Sequence, residues 1–173
     1  MSSTLKPAVS DEDHVQGNSS AAIEIVEFGD YECPHCGHAY PIIKNIEQTF
    51  GNQIRFVFRN FPLSESHAYA FPAALAAEAA GLQDKFWEMH DGIYEHQDQI
   101  GEALFEDLAK SLGLDLEKFK EDVASKALKE KVESDFESGI RSGVNGTPSF
   151  YVNGEKFDGG AEDLLEMLKE STA

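Results

Sequence analysis

Cysteine, tryptophan and positive charge are all scarce in this chain. Its 173 residues include two cysteines, one tryptophan, and 14 lysines and arginines against 32 aspartates and glutamates. Two cysteines allow at most one internal disulfide, which excludes a disulfide-stapled framework. The net charge of −18 argues against nucleic acid and anionic membrane surfaces as partners. It is compatible with basic substrates, but solubility is the simplest reason for it. No segment approaches the roughly 18 consecutive apolar residues of a membrane span. The first twenty residues hold one basic residue, Lys6, and no apolar core, so they do not read as a signal peptide. A cytoplasmic location is expected if the numbered chain is the gene product, and a periplasmic one if a leader has been removed. A hydrophobic fraction of 41% supports an ordinary core, and the length fits one domain with room for an inserted subdomain.

What the chain does have is the cysteine pair itself. Cys33-Pro34-His35-Cys36 follows the apolar run Ile23–Phe28, which reads as a strand. It precedes a stretch from Gly37 to about Thr49 that reads as a helix. Two cysteines in a turn between a strand and a helix start form a dithiol redox motif, here CPHC. The first N–H groups of a helix lack intrahelical partners and the macrodipole is positive there, so a thiolate is stabilised. Cys33 falls at or next to the N-cap. Pro34 falls at the first helical position, where a missing N–H costs little. Cys36 lies one turn further in, on the same side. The expectation is an exposed, activated Cys33 thiol, with Cys36 close enough to attack a mixed disulfide. His35 can add positive charge or a hydrogen bond to the thiolate and so make the disulfide more oxidising. Asp30 and Glu32 flank the motif and oppose it. Cys-x-x-Cys is also half of many zinc sites, and His35 and His38 are nearby. Zinc usually takes four ligands from two clusters, however, and there is no second cysteine pair. No metal and no organic cofactor are expected. Two buried structural cysteines are the remaining alternative.

Along the chain, residues 1–12 are polar and are expected to be disordered or loosely attached. Residues 13–63 and 143–173 read as one α/β domain, and residues 64–142 as an inserted helical subdomain. In the first part, Asp13–Gly17 is a short edge segment and Ile54–Arg59 a second main strand. The strand–helix–strand order implies a right-handed crossover to a parallel neighbour. Pro41 lies inside the motif helix. In the insertion, Asp115 caps a long helix with the stripe Leu116, Phe119, Val123, Ala127, Val132, Phe136 and Ile140. The sheet resumes at Ser149–Val152. Asn153-Gly154 is a two-residue hairpin turn, Glu155–Asp158 a return strand, and Ala161–Glu170 a terminal helix.

Gly146-Thr147-Pro148-Ser149 leads into that resumed strand, one of the few places a sheet tolerates proline. These features together resemble the thioredoxin-fold oxidoreductases, and within them the DsbA-like group, over about Asp13 to Met167. The resemblance rests on Glu27-Phe28, Cys33-Pro34-His35-Cys36, Pro41, the helical insertion with Phe86-Trp87-Glu88-Met89-His90, and Gly146-Thr147-Pro148. It implies a thioredoxin fold with an inserted helical subdomain. It further implies a cis Thr147–Pro148 bond facing the cysteines, with both residues docking substrate backbone as an added strand. It makes Glu27 a buried acid beneath the pair that moves protons to and from Cys36. The alternative is an edge-strand glutamate facing solvent. Arg55 or Arg59 on the next strand is available to pair with it, where the family usually has a lysine.

The implied function is thiol–disulfide exchange between the Cys33–Cys36 pair and protein or small-molecule thiols, through a mixed disulfide on Cys33. A redox partner protein must reset the pair, without nucleic acid or membrane insertion, and the default state is a monomer. The alternatives are a glutathione-dependent or isomerase-type enzyme on the same fold, and a non-catalytic thioredoxin-like binding or holdase module.

Overall fold

The computed structural model describes residues 3–172. In order, the elements are β1 (His14–Gly17), β2 (Ile23–Gly29), α1 (Pro34–Phe50), β3 (Ile54–Asn60), α2 (Ala70–Gly81), α3 (Phe86–Glu95), α4 (Glu102–Ser111), α5 (Leu116–Val123), α6 (Lys126–Ser142), β4 (Ser149–Val152), β5 (Glu155–Phe157) and α7 (Ala161–Thr172). Short 3-10 turns occupy Gly51–Gln53 and Gln97–Gln99. This is the mixed α/β class expected from the sequence. The chain divides into two compact units. One holds the chain up to Gly29, Pro34–Arg59 and the chain from Glu137; the other holds Asp30–Cys33 and Asn60–Phe136.

The first unit is built on a sheet ordered β1-β3-β2-β4-β5. β1 runs antiparallel to β3, with His14 opposite Phe58. β4 runs antiparallel to β2, with Ser149 opposite Phe28 and Phe150 opposite Glu27. β2 is therefore a central strand, and it is buried continuously from Ile25 to Gly29. Ile25, Val26 and Phe28 supply the apolar part of that buried run, and Glu27 is the one charged side chain in it. The β4–β5 hairpin turns at Asn153 and Gly154, whose φ angles of +50° and +85° are both left-handed. That geometry is what a two-residue turn of the I′ type needs. Against this framework α1 packs on α7. Ile43 and Ile46 of the first and Leu164 and Leu168 of the second are each no more than 3% exposed. Each such side chain contributes about 1.5–3 kcal/mol by leaving water.

Within the segment expected to be loosely attached, residues 3–6 are paired. Leu5 donates to the Gly154 carbonyl at 2.8 Å, Lys156 donates to the Ser3 carbonyl at 2.9 Å, and Thr4 bridges Glu155. Leu5 is buried, and the Lys6 amide donates to Ser142 Oγ at 2.8 Å. Unpaired backbone groups along β5 recruit the segment, a pull its polar side chains do not advertise. Residues 1, 2 and 173 of the ranges read from the sequence lie outside the described residues.

The second unit is helical. α2 is surrounded, so Ala70, Ala73, Ala74, Ala76, Ala77, Ala79 and Ala80 are all at most 1% exposed. A helix apolar on every side is a buried helix, and its small side chains let α3 and α5 approach closely. The single long helix expected after Asp115 is instead two. Asp115 caps α5 through Lys118 N at 3.1 Å, the chain breaks at Ala124-Ser125, and Ser125 Oγ accepts from Leu128 N at 3.3 Å to start α6. The break shifts the register, so Leu128 rather than Ala127 is buried and Ile140 is exposed. A buried polar cluster also belongs here. Asn60 donates from Nδ2 to Glu78 Oε2 and Asp135 Oδ2, both at 2.9 Å, and Lys131 Nζ donates to Asp135 Oδ1 at 2.8 Å. Burial pushes the Asp135 carboxyl above the usual range; Lys131 opposes that and the Glu78 charge adds to it.

Candidate active site

β2 ends at Gly29, and the next four residues form the turn that presents the first cysteine. Asp30 builds this turn from within. Its Oδ1 accepts from Glu32 N at 2.8 Å and from Cys33 N at 3.2 Å, and its carbonyl accepts from Cys33 N at 3.1 Å. This is the local bonding that makes aspartate a turn former. Pro34 then opens α1, with Cys33 immediately before it and Cys36 in the first turn. The one-turn spacing puts both cysteines on the same side of the helix. The structure departs from expectation in exposure: Cys33 is only 4% exposed and Cys36 1%. Cys33 is drawn in because the turn is bonded to residues of the helical insertion. Gln97 Nε2 donates to the carbonyls of both Tyr31 and Cys33 at 2.9 Å. The Tyr69 amide donates to Glu32 Oε1 at 2.7 Å. The Tyr31 hydroxyl bonds His90 Nδ1 at 3.0 Å inside a buried aromatic group with Tyr94.

Asp30 is itself 1% exposed. Its second oxygen accepts from Leu63 N at 3.0 Å and meets His67 Nδ1 at 2.8 Å. That hydrogen bond is the main reason the His67 imidazole titrates above its ordinary value. Burial opposes the shift, and the charges of Asp30, Cys33 and Glu32 reinforce it. The residue read from sequence as a negative charge flanking Cys33 is thus a buried, bonded cap. His67 and Gln97 were invisible beside the motif, since 34 and 64 residues separate them from Cys33. The Asp30-x-x-Cys33 spacing, that of a side chain capping a turn, was the available signal.

His35 is exposed on the first turn of α1, and His38 Nε2 lies 2.6 Å from Glu162 Oε1 on α7. Among the described residues, no cluster of three or more His, Cys, Asp or Glu side chains could hold a metal ion. Glu27 is 3% exposed on the central strand, so it does not face solvent from an edge. It shares a face with Gly29 and Phe58. A Cβ on Gly29 would lie 2.5 Å from Phe58 Cε1 and 2.9 Å from Glu27 Oε2. The two arginines offered as its partners sit on the other face, because side chains alternate along a strand. Arg55 bonds Glu24, its Nε at 3.1 Å. Arg59 grips Asp13 at 2.8 and 3.0 Å and lies over the Phe28 ring. The Thr147–Pro148 bond is cis. Both residues are half-buried just ahead of β4, and Ser149 Oγ donates to the Gly146 carbonyl at 2.7 Å. They stand at the end of the sheet where β2 gives way to Asp30.

A five-stranded sheet ordered β1-β3-β2-β4-β5, a Cys-x-x-Cys pair at the start of its first helix and a helical insertion define a thioredoxin-type protein of the DsbA-like kind. The chain belongs to the thioredoxin family: the family model described as Thioredoxin matches residues 9–170. It is similar to the oxidised BdbD of Bacillus subtilis, with 28% identity, a TM-score of 0.83, and 99% of this chain and 95% of that one covered. It is also similar to a thioredoxin-like oxidoreductase from Silicibacter pomeroyi DSS-3, with 25% identity, a TM-score of 0.82 and 94% of each chain covered. By sequence it is 43% identical over 155 residues to the Na(+)/H(+) antiporter NhaA 1 of Salinispora arenicola, covering 90% of this chain and 24% of that protein. It is 40% identical over 170 residues to the NhaA 1 of Mycolicibacterium vanbaalenii, covering 95% and 27%. The chain thus spans about a quarter of the length of these curated relatives. No described helix is long and apolar enough to cross a membrane.

Proposed function

We propose that this chain is a thiol–disulfide oxidoreductase in which Cys33 exchanges with the substrate and Cys36 resolves. The observation that carries the reading is the placement of the pair: Cys33 immediately before α1, its amide held by Asp30, and Cys36 in the first turn. In the oxidising direction a substrate thiolate attacks Sγ of Cys33. The Cys33–Cys36 bond breaks, Cys36 leaves as a thiolate, and a substrate–Cys33 disulfide forms. A second substrate thiolate attacks the substrate sulfur of that bond, and Cys33 leaves as a thiolate. Two electrons have then passed from the substrate dithiol to the cysteine pair, and the reducing direction is the reverse. A redox partner protein resets the pair. In this reading Glu27 carries the proton that Cys36 gains or loses, His35 favours the thiolate from the exposed side, and Thr147 and Pro148 align the substrate backbone.

The test is a trap. Cys36→Ser should accumulate mixed disulfides on Cys33, recovered by gel shift and mass spectrometry and released by dithiothreitol. Adducts only on Cys36 of a Cys33→Ser variant would reverse the roles, and no turnover of a model disulfide by the intact chain would end the reading. The antiporter relatives favour a second reading, in which such a domain serves a longer transporter and its exchange partner is a cysteine of that protein. The identity of the trapped adduct separates the two.

A further inference from the structure

The dithiol turn is held by a buried carboxylate, and the group facing that carboxylate is a histidine the proposed mechanism does not use. Asp30 spends one oxygen on the Glu32 and Cys33 amides and the other on the Leu63 amide and His67 Nδ1. A carboxylate only accepts, so Nδ1 carries a hydrogen whether the ring is neutral or charged. His67 lies in the connection between β3 and α2, where its own amide donates to the Leu63 carbonyl at 2.9 Å and its carbonyl accepts from Ala70. The titratable groups that face it are Asp30, Glu32 and Cys33, all on the turn.

We propose that His67 is a positioning residue of the dithiol site, its imidazolium anchoring the Asp30 carboxylate that holds the Cys33 amide and presenting a positive charge to Cys33. The inference rests on the reading of Cys33 as the exchanging thiol. Coupling between two sites is reciprocal: a Cys33 thiolate that favours the imidazolium is favoured by it to the same degree. A cation that stabilises the thiolate stabilises the reduced pair and makes the disulfide more oxidising. His67 thus acts through the buried Asp30 carboxylate, from the half-buried connection ahead of α2, whereas His35 is exposed on the first turn of α1.

The decisive measurement uses the unmodified chain. The His67 ring is titrated by NMR in the reduced and the oxidised protein. A thiolate exists only in the reduced form, so the ring should titrate at higher pH there; identical midpoints would overturn the inference. The second measurement is His67→Gln, with circular dichroism to confirm folding. The thiolate absorbance of the reduced variant should develop at higher pH than in the wild type. Its equilibrium with glutathione should shift about threefold to tenfold toward the disulfide near neutral pH. The gap should close as pH rises past the imidazole titration, which a purely structural hydrogen bond would not produce. A folded variant with an unchanged thiolate titration and potential would also overturn the role. If the wild type exchanges disulfides normally in those same assays, the oxidoreductase reading stands and only the role of His67 falls.

Discussion

Replacing Gly29 by alanine adds one methyl group at the last residue of β2, four positions before Cys33. The new Cβ would stand 2.5 Å from Cε1 and 2.9 Å from Cζ of Phe58, and 2.9 Å from Glu27 Oε2. Carbon atoms in contact normally sit about 3.5–4.0 Å apart, so the ring must retreat by about 1 Å. Phe58 is 1% exposed and Glu27 3%, so neither can swing into solvent to make room. Forcing a methylene into a packed core costs about 1–3 kcal/mol, and two clashing neighbours place Gly29→Ala in the upper part of that range. Backbone strain is not the cause, since Gly29 does not occupy the left-handed region. Urea unfolding of the variant alone gives the size, and a double-mutant cycle with Phe58→Leu gives the reason. Phe58→Leu by itself loses about 1–2 kcal/mol of packing, but it withdraws the ring edge. In that background the alanine should cost at least about 1 kcal/mol less, well outside the additivity of independent sites. A Gly29→Ala protein as stable as the wild type would refute the reasoning, as would a strictly additive cycle.

Two further outcomes follow from buried polar groups. The Tyr151 hydroxyl donates to the buried Ser142 carbonyl at 2.5 Å, so Tyr151→Phe should lose about 1–2 kcal/mol in denaturant titration while the sheet spectrum is unchanged. A loss of nothing would mean the carbonyl is satisfied without it. Asp135 is held above its ordinary range chiefly by burial, so the folded state binds its proton more tightly than the unfolded chain does. Its contribution is complete below the unfolded value of about 3.8 and is lost as pH rises through the folded value. Stability of the wild type relative to Asp135→Asn should therefore grow as pH falls from 7 toward 4, and parallel pH profiles would contradict this.

The parts of the molecule legible in sequence are those encoded locally. β2 announces itself through Ile23, Ile25, Val26 and Phe28 in one short run. Asn153-Gly154 announces a hairpin because few other pairs tolerate two left-handed residues. The CPHC motif carries its own one-turn geometry. Where the reading failed, the deciding partner was distant or the local pattern was ambiguous. The stripe from Leu116 to Ile140 allowed steps of three to five residues, wide enough to hide the register slip at Ser125. Cys33 was expected to be exposed because nothing near it in sequence shows that Gln97 will hold its carbonyl. The acid at position 30 reads in sequence only as a negative charge beside Cys33, because the partners that make it a cap, Leu63 and His67, lie more than thirty residues away. Arg55 and Arg59 are available to Glu27 by strand neighbourhood alone, and the pleat puts them on the opposite side of the sheet.

The clasp of residues 3–5 on β5 has a practical meaning for handling this domain. β5 is the last strand in the sheet order, and the bonds from Leu5 to Gly154 and from Lys156 to Ser3 occupy its outer rim. A short polar segment therefore works as a selvedge, finishing a border that would otherwise be open to another chain. Trimming the first six residues as a dispensable tail would unpick it. The shortened protein would keep its dithiol turn but tend to associate through β5, and a change in sedimentation with protein concentration would report that association.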